Sequence, residues 1–398
     1  MRVVPRKIFF WTHLAVGIVA AALLLVMTIT GALMTWEKQI IAGVDRWGVT
    51  SHPATAGAQP LPVETLIAQA QRTRGVDPEY ITVFAGKTQP AEVYLNRELG
   101  SYYVDAYSGA VIGEPSPKTH TFFARVRAWH RWLGVARPSR ATFRGLIGAA
   151  NAMLLFLAVF GVYLWLPRRW TWKHIRAVLV LRLGLTGRAK DFNWHNAIGF
   201  WAVLPLLVIV WTGMAMSYSW AKRLTYQAAG TPLHERKEGA EPQAVAGEEP
   251  VTSAEARFSG LSALLARAKQ QSADWKAITL EVPDKGSDPV TFTLDMSGYE
   301  AVGKSAELEL DRSGRVNSFT PAGEGGLSAR TFIRYGHTGE AWGVAGQTIA
   351  GATSVGGAFL VWTGIALSLR RLKSWRVRRA KARTAVHTLR SLDHSRAA

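Results

Sequence analysis

Four stretches of this chain, residues 8–36, 145–167, 192–221 and 341–369, contain no Asp, Glu, Lys or Arg. Each exceeds the roughly 20 residues that an α-helix needs to cross about 30 Å of hydrocarbon. A surface helix of a water-soluble fold carries a polar face, so four uncharged runs of this length point to four transmembrane helices. The first run is also far longer than the roughly 7–15 apolar residues of a signal-peptide core, and it is expected to stay in place as an anchor.

The formal net charge of +19 is unevenly placed. Nearly all of the excess lies in residues 1–7, 168–191 and 370–398, where the only acids are Asp191 and Asp393. Under the positive-inside rule these segments are cytoplasmic, with both termini inside. A pI near 10.4 also raises nucleic acid as a partner. The basic run Arg370-Arg371-Leu372-Lys373, however, directly follows a span, and attraction to anionic membrane lipid accounts for it without nucleic acid. Trp170-Thr171-Trp172-Lys173-His174 reads as the start of an interfacial segment, with His174 at its surface.

The two outer segments, 37–142 and 222–336, are too long to be connectors and read as small α+β domains. In the first, a helix over 61–74 precedes alternating runs such as Glu92-Val93-Tyr94-Leu95 and a strand from Tyr102 that turns at Ser108-Gly109. In the second, a helix over 259–270 precedes strands over 277–282, 290–295 and 306–311, and a turn at Arg312-Ser313-Gly314. Residues 230–255, rich in Gly, Pro, Glu and Ala, read as a flexible lead-in. The expected division is therefore residues 1–36 as tail and first helix, 37–142 as first outer domain, 143–167 as second helix and 168–191 as basic loop. Then come 192–221 as third helix, 222–336 as second outer domain, 337–369 as fourth helix and 370–398 as basic tail.

This order repeats. His13 precedes Gly31 of Thr30-Gly31 by eighteen residues, and His195 precedes Gly213 of Thr212-Gly213 by the same number. Thr363-Gly364 and Phe160-Gly161 lie at comparable depth in the other two spans, where glycine allows close approach. Each half begins and ends inside, so the halves are related by an axis along the membrane normal. The expected fold is a membrane α+β protein of four transmembrane helices in two parallel-repeat halves, each with a periplasmic α+β domain.

That symmetry places His13 with His195 near the cytoplasmic surface and His130 with His337 near the periplasmic one. One histidine at a helix end is an ordinary interfacial residue. Four in related positions point to axial ligation, because an iron held in a helix bundle takes imidazoles from facing helices. Zinc and copper also accept imidazole, but a metal-transport site adds intramembrane carboxylates, which these spans lack. The chain has no cysteine, which excludes covalent c-type haem, Fe–S clusters, thiol redox centres and disulfides. Two haem b groups are what fits. His120 competes with His130, which is closer to the span and flanked by Trp129, Arg131 and Trp132. Arg131 and Arg334 are candidates to hold haem propionates or an anionic ligand.

Several motifs resemble the PepSY-associated transmembrane family of iron-regulated bacterial inner-membrane proteins, which includes di-haem siderophore-iron reductases. They are Phe10-Trp11-Thr12-His13-Leu14 with Thr30-Gly31; the PepSY-like Tyr103-Val104-Asp105-Ala106-Tyr107-Ser108-Gly109-Ala110-Val111-Ile112-Gly113; His130-Arg131-Trp132-Leu133; Trp194-His195-Asn196-Ala197-Ile198-Gly199-Phe200 with Thr212-Gly213; and the His337 region before Thr363-Gly364. The likeness covers nearly the whole chain. In the second outer segment Asp311-Arg312-Ser313-Gly314 stands where the PepSY signature would recur, a departure from the pattern. The resemblance implies reduction of a ferric siderophore or other ferric chelate on the periplasmic side. No Gly-x-Gly-x-x-Gly fingerprint follows a strand, so the donor is a separate reductase, a soluble carrier or membrane quinol. Two rival classes are a PepSY-type sensor, which has no need of four boundary histidines, and a chelate transporter, which needs a polar pathway.

Overall fold

The structure, a computed structural model, describes residues 4–166 apart from 54 and 56, together with 171–230, 257–323 and 328–397. Trp170 and most of the expected lead-in lie outside the described residues. In chain order the elements are α1 (Val4–Met34), α2 (Glu37–Asp45), α3 (Val63–Arg74), β1 (Tyr80–Phe84), β2 (Ala91–Asn96), β3 (Gly100–Val104), β4 (Val111–Gly113), α4 (Pro117–Trp132), α5 (Arg140–Trp165), α6 (Trp172–Leu179), α7 (Gly187–Ser217) and α8 (Ser219–Ala228). There follow α9 (Leu261–Gln270), β5 (Ala277–Glu281), β6 (Val290–Asp295), β7 (Ser305–Leu310), β8 (Val316–Thr320) and α10 (Gly343–Ala397).

Four of these helices, α1, α5, α7 and α10, are long and apolar enough to cross a membrane. They pack as a square in the order α1, α5, α7, α10, which leaves α1 and α7 on one diagonal. Glycine sets the close contacts. A Cβ on Gly148 would lie 3.1 Å from the Tyr218 hydroxyl, and one on Gly351 would lie 2.9 Å from Thr35. The fourth span and the basic tail, expected as separate segments, form one continuous helix of 55 residues. At the end of the bundle away from the sheet, Arg370 Nε donates to Asp191 Oδ2 at 2.8 Å, and Arg6 Nη2 donates to Leu164 O at 2.7 Å.

The two outer segments share one sheet instead of forming two domains. Its eight strands run β4-β3-β2-β1-β5-β6-β7-β8. At its centre β1 and β5 pair antiparallel from Tyr80↔Glu281 to Phe84↔Ala277, and the Thr82 and Thr279 hydroxyls meet at 2.8 Å. A four-stranded half on its own would expose β1 or β5 as an unpaired edge, and joining the two edges satisfies both rows of backbone groups. Neither half's alternating pattern signals this, because a half-buried edge strand and a half-buried central strand read alike.

α3 and α9 cover one face of the sheet, and Ile67, Leu261, Val93, Ile278, Phe292 and Leu308 belong to a single core drawn from both segments. Each such fully buried side chain contributes about 1.5–3 kcal/mol relative to exposure. The sheet is tied to α2, which follows the first span, by Arg46 Nη2 donating to Gly298 O at 3.0 Å and Lys38 Nζ donating to Glu300 O at 3.2 Å; Lys38 also pairs with Glu340, before the fourth span, at 2.9 Å.

Candidate metal centres at the two ends of the bundle

α4, a helix the sequence did not announce, carries His130 toward the bundle. Ser116 caps its start by accepting from Thr119 N–H, Pro117 occupies the first turn, and Leu133 closes it at φ 52°. His337 follows a π-helical turn over Phe332–Gly336, an interruption that recurs at functional sites. The two rings lie 6.2 Å apart, centre to centre, with an interplanar angle of 63°. Two metal–imidazole bonds of about 2 Å, with about 1 Å from each nitrogen to its ring centre, sum to roughly 6 Å. The pair is spaced for one metal atom between the rings.

Each ring is held from behind at Nδ1. The Thr30 hydroxyl donates to Val26 O at 2.6 Å, so its oxygen is free to accept from His130 Nδ1–H at 2.9 Å. In the same way Thr212 donates to Val208 O at 2.7 Å and accepts from His337 Nδ1–H at 3.1 Å, while Ile209 O lies 2.9 Å from the same nitrogen. With the proton fixed on Nδ1, Nε2 keeps its lone pair for a metal. Burial, followed by the neighbouring His337 and Arg131, pushes the His130 pKa down to about 3, which keeps the ring neutral. A neutral imidazole is the form that ligates.

At the other end, His195 Nδ1–H donates to Thr363 Oγ1 at 3.0 Å, and Thr363 donates in turn to Phe359 O at 2.7 Å. His13 is an electrostatic neighbour of His195. The two come from α1 and α7, the diagonal helices, and Thr30 and Thr212 on the same two helices hold the rings at the sheet end. Glycines make room at three of the four positions. A Cβ on Gly161 would lie 3.5 Å from His13 Cε1, one on Gly364 would lie 3.6 Å from His195 Cε1, and one on Gly31 would lie 3.6 Å from His130 Cε1. A Cβ on Gly213 would instead meet Asn151 Nδ2 at 2.9 Å.

The four histidines expected as ligands thus fall into two pairs at the two ends of the bundle. His120 belongs to neither pair. Its Nε2 lies 2.6 Å from Asp45 Oδ2, and Asp45 also accepts Ser116 N–H at 2.7 Å, which fastens α4 to α2. Arg131 and Arg334 have exposed side chains. Arg131 is an electrostatic neighbour of both His130 and His337, and Arg334 stacks on Tyr335 at 5.3 Å. Sequence reasoning missed the threonines. Thr30, Thr212 and Thr363 stood out only as partners of glycine, although a hydroxyl recurring at the depth of three of the four histidines was a visible signal.

Four apolar helices that pair imidazoles at both ends, joined to an antiparallel sheet, define a membrane protein with an α+β module at one end of its helix bundle. A family model of the PepSY-associated TM region matches residues 10–371, and the chain belongs to that family. No curated protein matches the sequence.

Proposed function

We propose that the chain is a di-haem b oxidoreductase of a bacterial inner membrane, which passes electrons from its cytoplasmic side to a ferric siderophore or other ferric chelate in the periplasm. The observation that carries this reading is the 6.2 Å spacing of His130 and His337, with both Nδ1 atoms turned away to threonine. Haem bound in each pair would supply a one-electron carrier near each membrane surface, dividing a barrier of roughly 30 Å into shorter steps. His13 and His195 would hold the inner haem, and His130 and His337 the outer one.

The chain's own part is to hold both ligand pairs neutral and oriented, to keep water out with the helix square, and to present a docking surface. The charge distribution supports cytoplasmic termini and a periplasmic sheet. Reciprocal contacts support duplication: Gly148 of the first half lies against Ser217 and Tyr218 of the second, and Gly351 of the second lies against Thr35 and Trp36 of the first. Exposed Arg131 and Arg334, beside the outer ligands, suit propionates or an anionic chelate. Reduction suffices for release, because ferrous iron is a weaker partner for hard oxygen ligands. Electrons come from a separate cytoplasmic donor or membrane quinol.

The test is direct. Purified protein should give two haems per chain by the pyridine haemochrome assay, and the reduced protein should be reoxidised faster by a ferric siderophore than by the iron-free compound. Colourless protein would favour the sensor class. Haem that reoxidises equally with both would defeat the reductase reading.

A further inference from the structure

Three of the four ring positions share a device that the fourth lacks. At His130, His337 and His195 the residue before the glycine is threonine, and its hydroxyl accepts from the ring Nδ1–H. At His13 the equivalent residue, before Gly161, is Phe160. His13 Nδ1 is buried and has no hydrogen-bond partner. Phe160 cannot supply one, because its side chain has no polar atom; its ring instead stacks on Phe9 at 4.8 Å and packs on Phe156 at 4.3 Å.

Resting on the haem reading above, we propose that Thr30, Thr212 and Thr363 are positioning residues that clamp three axial ligands, and that Phe160 leaves His13 as the one loosely held, exchangeable ligand of the inner haem.

The physical basis is the outer hydrogen bond of a ligating imidazole. It fixes the tautomer and ring direction and raises the basicity of the ligating nitrogen, and its loss typically costs 10- to 100-fold in metal affinity. A ring without it can place its proton on either nitrogen, and the tautomer protonated on Nε2 cannot ligate through that atom. His13 is therefore the ligand that an external molecule displaces. A less basic ligand also favours the ferrous state, so the missing clamp raises the inner haem's potential relative to a clamped one.

The experiment uses full-length protein, first assayed for two haems and then reduced and titrated with carbon monoxide, which competes for an axial position on ferrous haem. Wild-type protein should take up carbon monoxide on one haem of the two. Phe160→Thr should lower that uptake about tenfold relative to Phe160→Val, which has the same shape without the hydroxyl. It should also lower the midpoint potential of that haem by about 59 mV, the one-electron equivalent of a tenfold change. Thr30→Val and Thr212→Val should each make the second haem reactive, and they stand in if the Phe160 variants do not accumulate.

Equal uptake by Phe160→Thr and Phe160→Val overturns the inference. So does wild-type reactivity at both haems or at neither, or outer haem that stays inert in both threonine variants. Each of these outcomes leaves the di-haem reading standing. Protein without haem overturns both together.

Discussion

In the sheet, Ile278, Phe292 and Leu308 have no exposed surface, whereas in the bundle Val19, Trp201 and Leu204 are 72%, 70% and 74% exposed. The sheet closes its own core by folding α3 and α9 over one face. The bundle turns its large apolar side chains outward and keeps half-buried polar rings inside, which inverts the ordinary distribution. Lipid is the solvent that makes this arrangement favourable. The two regions are therefore stabilised by different agents, the sheet by burial of its own side chains and the bundle by what surrounds it.

The largest expected effect that separates the two regions is at a ligand. Under the proposed di-haem function, replacing His337 or His130 by Ala should abolish binding at the sheet-side centre, read as loss of half the haem, while the thermal transition of the sheet stays in place. Loss of all haem, or melting of the sheet, would mean that the two regions are not separable in this way. In the other direction, Phe292→Ala should destabilise the sheet by about 3–5 kcal/mol, the usual cost of emptying an aromatic core site. Calorimetry should show this with both haems retained.

A smaller effect is expected where the regions meet. Gly339 sits at φ 78°, and an added Cβ would run into the Gly346 carbonyl oxygen. Gly339→Ala should cost about 1–3 kcal/mol in local strain. Because the strain falls two residues from His337, it should weaken the sheet-side haem in preference to the other, which stepwise haem loss on dilution would reveal.

The smallest effect is confined to the sheet. Burial alone would raise the Asp105 pKa, but the backbone N–H groups of His52, Ser108 and Tyr107 hold it below its ordinary value of 3.8. A lowered folded pKa adds stability above 3.8, and that stability is lost as pH falls through the lowered value. Asp105→Asn should cost about 1 kcal/mol at neutral pH and flatten the acid side of the sheet's stability curve. Haem binding should be unchanged at neutral pH.

The bundle was the more legible region because lipid demands a long uncharged run, a signal that needs no partner to be read. All four spans are visible this way, and the histidines stand out as the polar exceptions at their ends. In the sheet, strands such as Val290–Asp295 follow from alternation. Their joining through β1 and β5 does not, because pairing between distant strands leaves no local mark. The same limit hid α4, whose apolar face shows in the sequence only once α1 and α2 are there to cover it. The Thr–His bonds were hidden for another reason: they link Thr30 to His130 and Thr212 to His337, positions 100 and 125 residues apart.

The join between β1 and β5 also has a consequence in time. Thr82 and Thr279 meet across 197 residues of chain, and two spans, α5 and α7, are synthesised between them. At about 5–20 residues per second, the first half of the sheet waits roughly 10 to 40 s for its partner edge to emerge. During that interval β1 presents open backbone groups to any strand nearby, which is the condition for mispairing and aggregation. Biogenesis therefore has to shelter a half-built sheet while the translocation machinery threads the chain through the membrane twice more.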